Sequence, residues 1–157
     1  MTSRTLKLTL LGALAALSIP AAAFAQDWHR HPGYLRAMSD LRTAYWLVQH
    51  TDAADPAQHA EEKFAAEQIK IAYMDLKNAA IMDDRDINDL PPPGMAFYDH
   101  QGRLRRAGEL ILDAHSAIAG VEQNPESSEM RKQAFWHIDK AGQAVAAAQR
   151  SWGWDRR

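Results

Sequence analysis

Seven histidines, twenty carboxylates and no cysteine bound the chemistry open to this chain of 157 residues. Neutral imidazole and carboxylate are competent ligands for zinc, copper or nickel, and a true site needs three or four of them at about 2.0 to 2.2 Å. His29, His31, Asp99 and His100 are the set to consider, since they fall at the starts of what read as the first and third helices. If those two helices start at one end of a bundle, the four residues share that end. The competing account makes them capping or surface groups beside a turn. No cofactor is certain on this spacing; Zn, Cu or Ni are the candidates.

Other reactions fail on spacing. A di-iron carboxylate site needs Glu-x-x-His on two helices, and a c-type haem needs Cys-x-x-Cys-His; neither occurs. Met38 and His137 as haem ligands would sit about 12 Å apart along the bundle at 1.5 Å per residue. There is no Gly-x-Ser-x-Gly, no His-Glu-x-x-His and no Gly-rich loop before a helix. The acidic stretch at residues 83–89 lacks the ligand spacing of an EF-hand and reads as a solvated linker. His115 and His137, offset by roughly 6 to 12 Å, read as hydrogen-bonding groups between helices, and His50 and His59 as surface residues at the opposite end. With no nucleophile, paired base or anion cradle, the chain is expected not to be an enzyme.

Trp152 and Trp154 close an unusual tail. They are expected either to plug the bundle end against Trp28 near Tyr34, where large rings gain from burial, or to stand exposed and bind a partner or a sugar. The plug assumes that the last helix ends beside the start of the first.

The elements that must position these groups are helical. His31 to Leu41 recurs 69 positions later as His100 to Leu110, with His, Gly, Leu, Arg and Leu in place. The same offset carries Ala65, Ile69, Ala72, Leu76 and Ala79 onto Ala134, Ile138, Ala141, Val145 and Ala148. Such self-similarity reads as one helical hairpin written twice, closing into an all-α antiparallel four-helix bundle. Apolar residues at steps of three and four mark each buried stripe. The first helix is expected over about 32–50 with Tyr34, Met38, Leu41, Tyr45 and Val48 inward. The second runs from Asp55-Pro56 to Met82, its stripe widened by Phe64, Ile71 and Met74. The third covers about 101–121, with Leu104, Ala107, Ile111, Ala114 and Ile118 inward, and the fourth about 125–151. Hairpin one (about 32–82) and hairpin two (about 101–151) are joined by a crossover at about 83–100, where three successive prolines forbid a helix and Met95 to Tyr98 can pack back on the bundle.

Residues 1–25 have the parts of a cleaved secretory signal: Arg4 and Lys7, the apolar run Leu8 to Leu17, then Ala23-Phe24-Ala25. That run is too short to span a bilayer of ~30 Å. Residues 26–157 are expected to form one domain, periplasmic or secreted, with no stable membrane anchor after cleavage. Losing Arg4 and Lys7 takes the formal charge from −2 to −4, and with no basic stripe nucleic acid is not an expected partner.

The segments His31-Pro32-x-Tyr34-Leu35-x-Ala37-x-Ser39-Asp40-Leu41-Arg42, Asp89-Leu90-Pro91-Pro92 and His137-Ile138-Asp139 resemble a group of exported helical proteins from proteobacteria and their relatives, for which no activity is known. The resemblance implies a periplasmic location and an all-helical fold, and carries over no functional residue. The His-bearing helical style is similar to that of small periplasmic proteins that buffer copper or nickel; the Leu-Thr-x-x-Gln motif of periplasmic stress chaperones is absent. The expected function is an exported, non-enzymatic binding or accessory protein, taking a transition metal or small ligand at its His-bearing end. The alternative is a structural or stress-adaptor protein that binds other proteins through the terminal aromatics or the crossover.

Overall fold

The structure, a computed structural model, describes residues 33–50, 59–90, 98–120 and 124–154, apart from the side chains of residues 89 and 152–154. Among the described residues there are four helices, α1 (Tyr34–Gln49), α2 (Ala60–Met82), α3 (His100–Ala117) and α4 (Pro125–Trp154), with one 3-10 turn at Ile87–Asp89. No strand occurs among the described residues, and the arrangement is an all-α four-helix bundle. None of the described helices is long and apolar enough to cross a membrane. The signal segment, His29, His31 and Trp28 lie outside the described residues.

The stripes bury as their periodicity requires. Ala65, Ile69, Ala72, Leu76 and Ala79 of α2 are inaccessible, and so in effect are Ala134, Ile138, Ala141, Val145 and Ala148 of α4. Small side chains facing each other let two axes approach to the short end of the usual 8–10 Å range, and α2 with α4 is the most extensive pair in the molecule. Its midpoint is polar: His137 Nδ1 donates to Gln68 Oε1 at 2.8 Å, joining residues 69 positions apart. Phe64 and Met74 correct the expectation, since both are largely exposed. The stripe of α2 broadens instead on the side of Ala66 and Ala80, and on α1 Ala44 and Leu47 are buried while Tyr45 is only half-buried.

Capping chemistry fixes where the helices begin and end. Asn124 accepts from the Glu126 N–H at 3.0 Å, so Asn124-Pro125 starts α4 as expected. α2 starts later than expected, because His59 is extended (ψ 158°) immediately before Ala60; Asp55-Pro56 lies outside the described residues. At its other end Asp84 adopts φ 52°, and the Arg85 and Asp84 N–H groups return to Ala80 O and Ile81 O. This is a left-handed cap of the kind usually given to glycine. Of the acidic stretch, Asp84 and Asp86 are exposed as expected of a solvated linker, while Asp83 is buried and Asp86 accepts from the Asn88 N–H. α3 stops at Ala117, four residues short of the expected Val121, and Arg131 of α4 donates to the carbonyls of Ile118 and Gly120 there.

The connectivity corrects the up-down-up-down order assumed for the Trp plug. The Arg103 guanidinium at the start of α3 donates to His50 O at the end of α1 (2.8 Å), while Gly33 at the start of α1 lies against the Ala117 carbonyl at the end of α3. Asn124 and Ser127 at the start of α4 donate to Met82 O and Ala79 O at the end of α2. The bundle is therefore up-down-down-up, and residues 83–99 return from one end to the other. α1 packs on α2 and α3, α4 packs on the same two, and α1 and α4 lie across the diagonal.

Asp75, on α2, supplies a pH prediction. Its Oδ2 is buried without a hydrogen-bond partner, 4.0 Å from His137 Nε2. Burial raises its carboxyl above the usual 3.8, partly opposed by His137. A raised folded-state value means stability fully present below 3.8 and lost as pH rises through that higher value. Asp75→Asn is thus expected to melt higher than the parent at pH 7 and to lose that advantage near pH 3.5. Melting scans at the two pH values check it; a variant less stable at pH 7 would show that the contact with His137 outweighs the burial.

Candidate functional site

The His-bearing end is where hydrophobic periodicity is interrupted by charge. Glu62 precedes Ala65 by three positions, His100 precedes Leu104 by four and Arg103 precedes Ala107 by four, so all three stand on inward-facing registers. The structure buries them together at 2%, 5% and 2% exposure. His100 Nε2 meets Glu62 Oε1 at 2.8 Å, and Arg103 Nη2 approaches His100 Nδ1 at 3.4 Å while holding His50 O. With Arg103 as donor, Nδ1 accepts and Nε2 carries the proton given to Glu62. The His59 ring stands edge-on to His100 at 6.2 Å.

This arrangement does not assemble the set named from sequence. Asp99 caps α3, accepting from the Gly102 N–H at 2.8 Å, and His100 spends both ring nitrogens on Glu62 and Arg103. His29 and His31 lie outside the described residues, and the chain that follows them enters α1 at Gly33, beside Ala117. From Ala117 back to His100 is about 25 Å along α3, and two residues of extended chain reach about 7 Å. The starts of the first and third helices are at opposite ends. The histidine that joins His100 is His59, read from sequence as a distant surface residue. Among the described residues no group of three or more His, Asp or Glu is placed to hold a metal ion, and the guanidinium beside His100 opposes a cation. His115 and His137 bridge helices as expected: His115 Nε2 lies 3.5 Å from Asp139 on α4, and His137 reaches Gln68 and Asp75 on α2.

The tail is also relocated. Gln149 donates to Leu104 O, so the end of α4 lies by the start of α3, away from Tyr34. The backbone stays helical to Trp154, and the side chains of Trp152 and Trp154 lie outside the described part.

A feature absent from the sequence reading opens between α1 and α2. Leu41, Tyr45 and Trp46 face Ile69, Tyr73 and Met74 across a half-open cleft of about 460 Å³. That volume is within the range of small-molecule sites, which are apolar clefts with a few polar groups. Trp46 is held by stacking on His50, with ring centroids 4.8 Å apart and planes at 25°. Arg42 and Lys70, both exposed, border the same cleft. The available signal was Trp46 beside Tyr45, and Tyr73 four positions after Ile69. Tyr45, Trp46 and Tyr73 thus flank the stripes, partly buried against the core, and Met74 beside them is exposed.

Comparison of the chain with known protein families, with curated proteins and with solved structures finds no match in any of the three.

Proposed function

We propose that this chain is an exported, non-enzymatic binding protein that takes a small apolar ligand in the cleft between α1 and α2. The observation that carries the reading is the cleft itself, an aromatic recess of about 460 Å³ in which the core residues Leu41 and Ile69 are flanked by Tyr45, Trp46 and Tyr73, all three only partly buried. Export rests on the signal pattern of residues 1–25 and on the resemblance to exported helical proteins. The duplicated-hairpin reading is supported by the Gln68–His137 hydrogen bond, because positions one repeat apart meet only where a two-fold relation between hairpins passes. The binding end thereby moves from the His-bearing end to the flank of hairpin one, since His100, Glu62 and Arg103 are mutually engaged.

Naphthylmethanol, a flat neutral probe, tests the cleft. At a hundred times its dissociation constant it is expected to stabilise the protein by about 2.7 kcal/mol. Trp46→Ala should abolish that gain with the helical circular dichroism intact. A melting temperature indifferent to the probe would overturn the reading.

A second reading, an adaptor for another protein, is favoured by Phe64 and Trp136, which stand 46% and 55% exposed along one shallow groove between α2 and α4. It predicts an association that Trp136→Ser removes while naphthylmethanol binding persists.

A further inference from the structure

The cleft carries a charge pattern as well as a shape. No Asp or Glu lines it, although the chain holds more acidic than basic residues. Its charged neighbours are Arg42 and Lys70, one from each helix, and among the described residues neither has an ion-pair partner. Some cations elsewhere are paired, as Arg36 is with Asp40, Arg106 with Glu109 and Lys132 with Glu129, while others are not; what distinguishes Arg42 and Lys70 is their place at one apolar cleft. The hydroxyls of Tyr45 and Tyr73 make no hydrogen bond within the described protein, which leaves two further donors at the same cleft. Two uncommitted cations and two phenols around an apolar recess complement a ligand with a flat apolar body and an anionic group.

We infer that the cleft selects a small organic anion with a flat apolar body, of the aromatic carboxylate class. The apolar walls take the ring system, and Arg42 and Lys70 take the carboxylate at the solvent edge. Because both cations are exposed, salt weakens the selection. The inference rests on the ligand-binding reading above and adds its chemical class.

The experiment compares three probes of one body, naphthoate, naphthylmethanol and naphthylmethylammonium, by calorimetry on the protein at low and at high salt. Naphthoate is expected to bind about tenfold more tightly than the alcohol, as two partly exposed charge pairs allow, and the ammonium most weakly. Arg42→Gln combined with Lys70→Gln should bring naphthoate to the level of the alcohol measured on the same variant. Equal affinity for all three, or preference for the ammonium, overturns the anion inference and leaves the cleft reading standing. Failure of all three to bind overturns both. A dimer by sedimentation that binds none of them would assign the cleft to a second copy of the chain and would likewise overturn both.

Discussion

Glu62→Ala is expected to cost about 2 to 3 kcal/mol, the usual effect of losing a buried hydrogen bond to a charged group. Glu62 accepts from His100 at 2.8 Å where both are almost fully buried, so its removal leaves the His100 N–H without its protein partner. The loss spreads, because the Arg103 beside His100 also holds His50 O, one of the carbonyls that α1 leaves unsatisfied at its C-terminus. Against a total stability of about 5 to 15 kcal/mol, that is a large fraction. Glu62→Gln keeps an oxygen in place for His100 Nε2 and should cost far less, about 1 kcal/mol. Urea unfolding of the three proteins measures the order. If Glu62→Ala falls within 1 kcal/mol of the parent, the cluster is solvated rather than structural.

Gly33→Ala carries the second large effect, and contact rather than conformation is the cause. Gly33 has φ −88°, which any residue adopts, but a Cβ there would fall inside the van der Waals envelope of the Ala117 carbonyl. The neighbour is backbone at the end of α3 and cannot swing aside, so the helices must separate. Overpacking commonly costs 1 to 3 kcal/mol, and about 3 kcal/mol is expected here. Gly108 and Gly142 are the controls, with nearest atoms at 3.5 Å and 3.6 Å. Alanine fits at both, and removing the entropy cost of a mid-helix glycine should stabilise by roughly 0.5–1 kcal/mol each. Opposite signs for one chemical change, read by denaturant melts, test the close approach of α1 to α3. A neutral Gly33→Ala would deny it.

Much of the architecture was legible because helical periodicity is local. Steps of three and four along α2, α3 and α4 named the buried residues, and Asn124-Pro125 announced a helix start through chemistry confined to three residues. Glu62, His100 and Arg103 were legible too, had the apolar registers been followed outward to the charged positions that continue them. Phe64 and Met74 were misassigned because an apolar residue beside a stripe is buried only if a neighbouring helix stands on that side.

Sequence alone determined four helices, the apolar stripe each turns inward and the pairing of the two helices within each hairpin, since a short turn leaves an antiparallel neighbour no other place to go. Tertiary structure alone decided how the two hairpins face each other. A connection of seventeen residues, extended at about 3.3 Å each, spans the bundle as easily as it loops back at one end, so its length permits both orders. The Gly33–Ala117 approach and the Arg103–His50 hydrogen bond select up-down-down-up. That choice separates the chain entering α1 from His100, sets His59 beside it, and carries the end of α4 away from Tyr34. Periodicity says which face of a helix is buried; only packing of surfaces distant in sequence says against what.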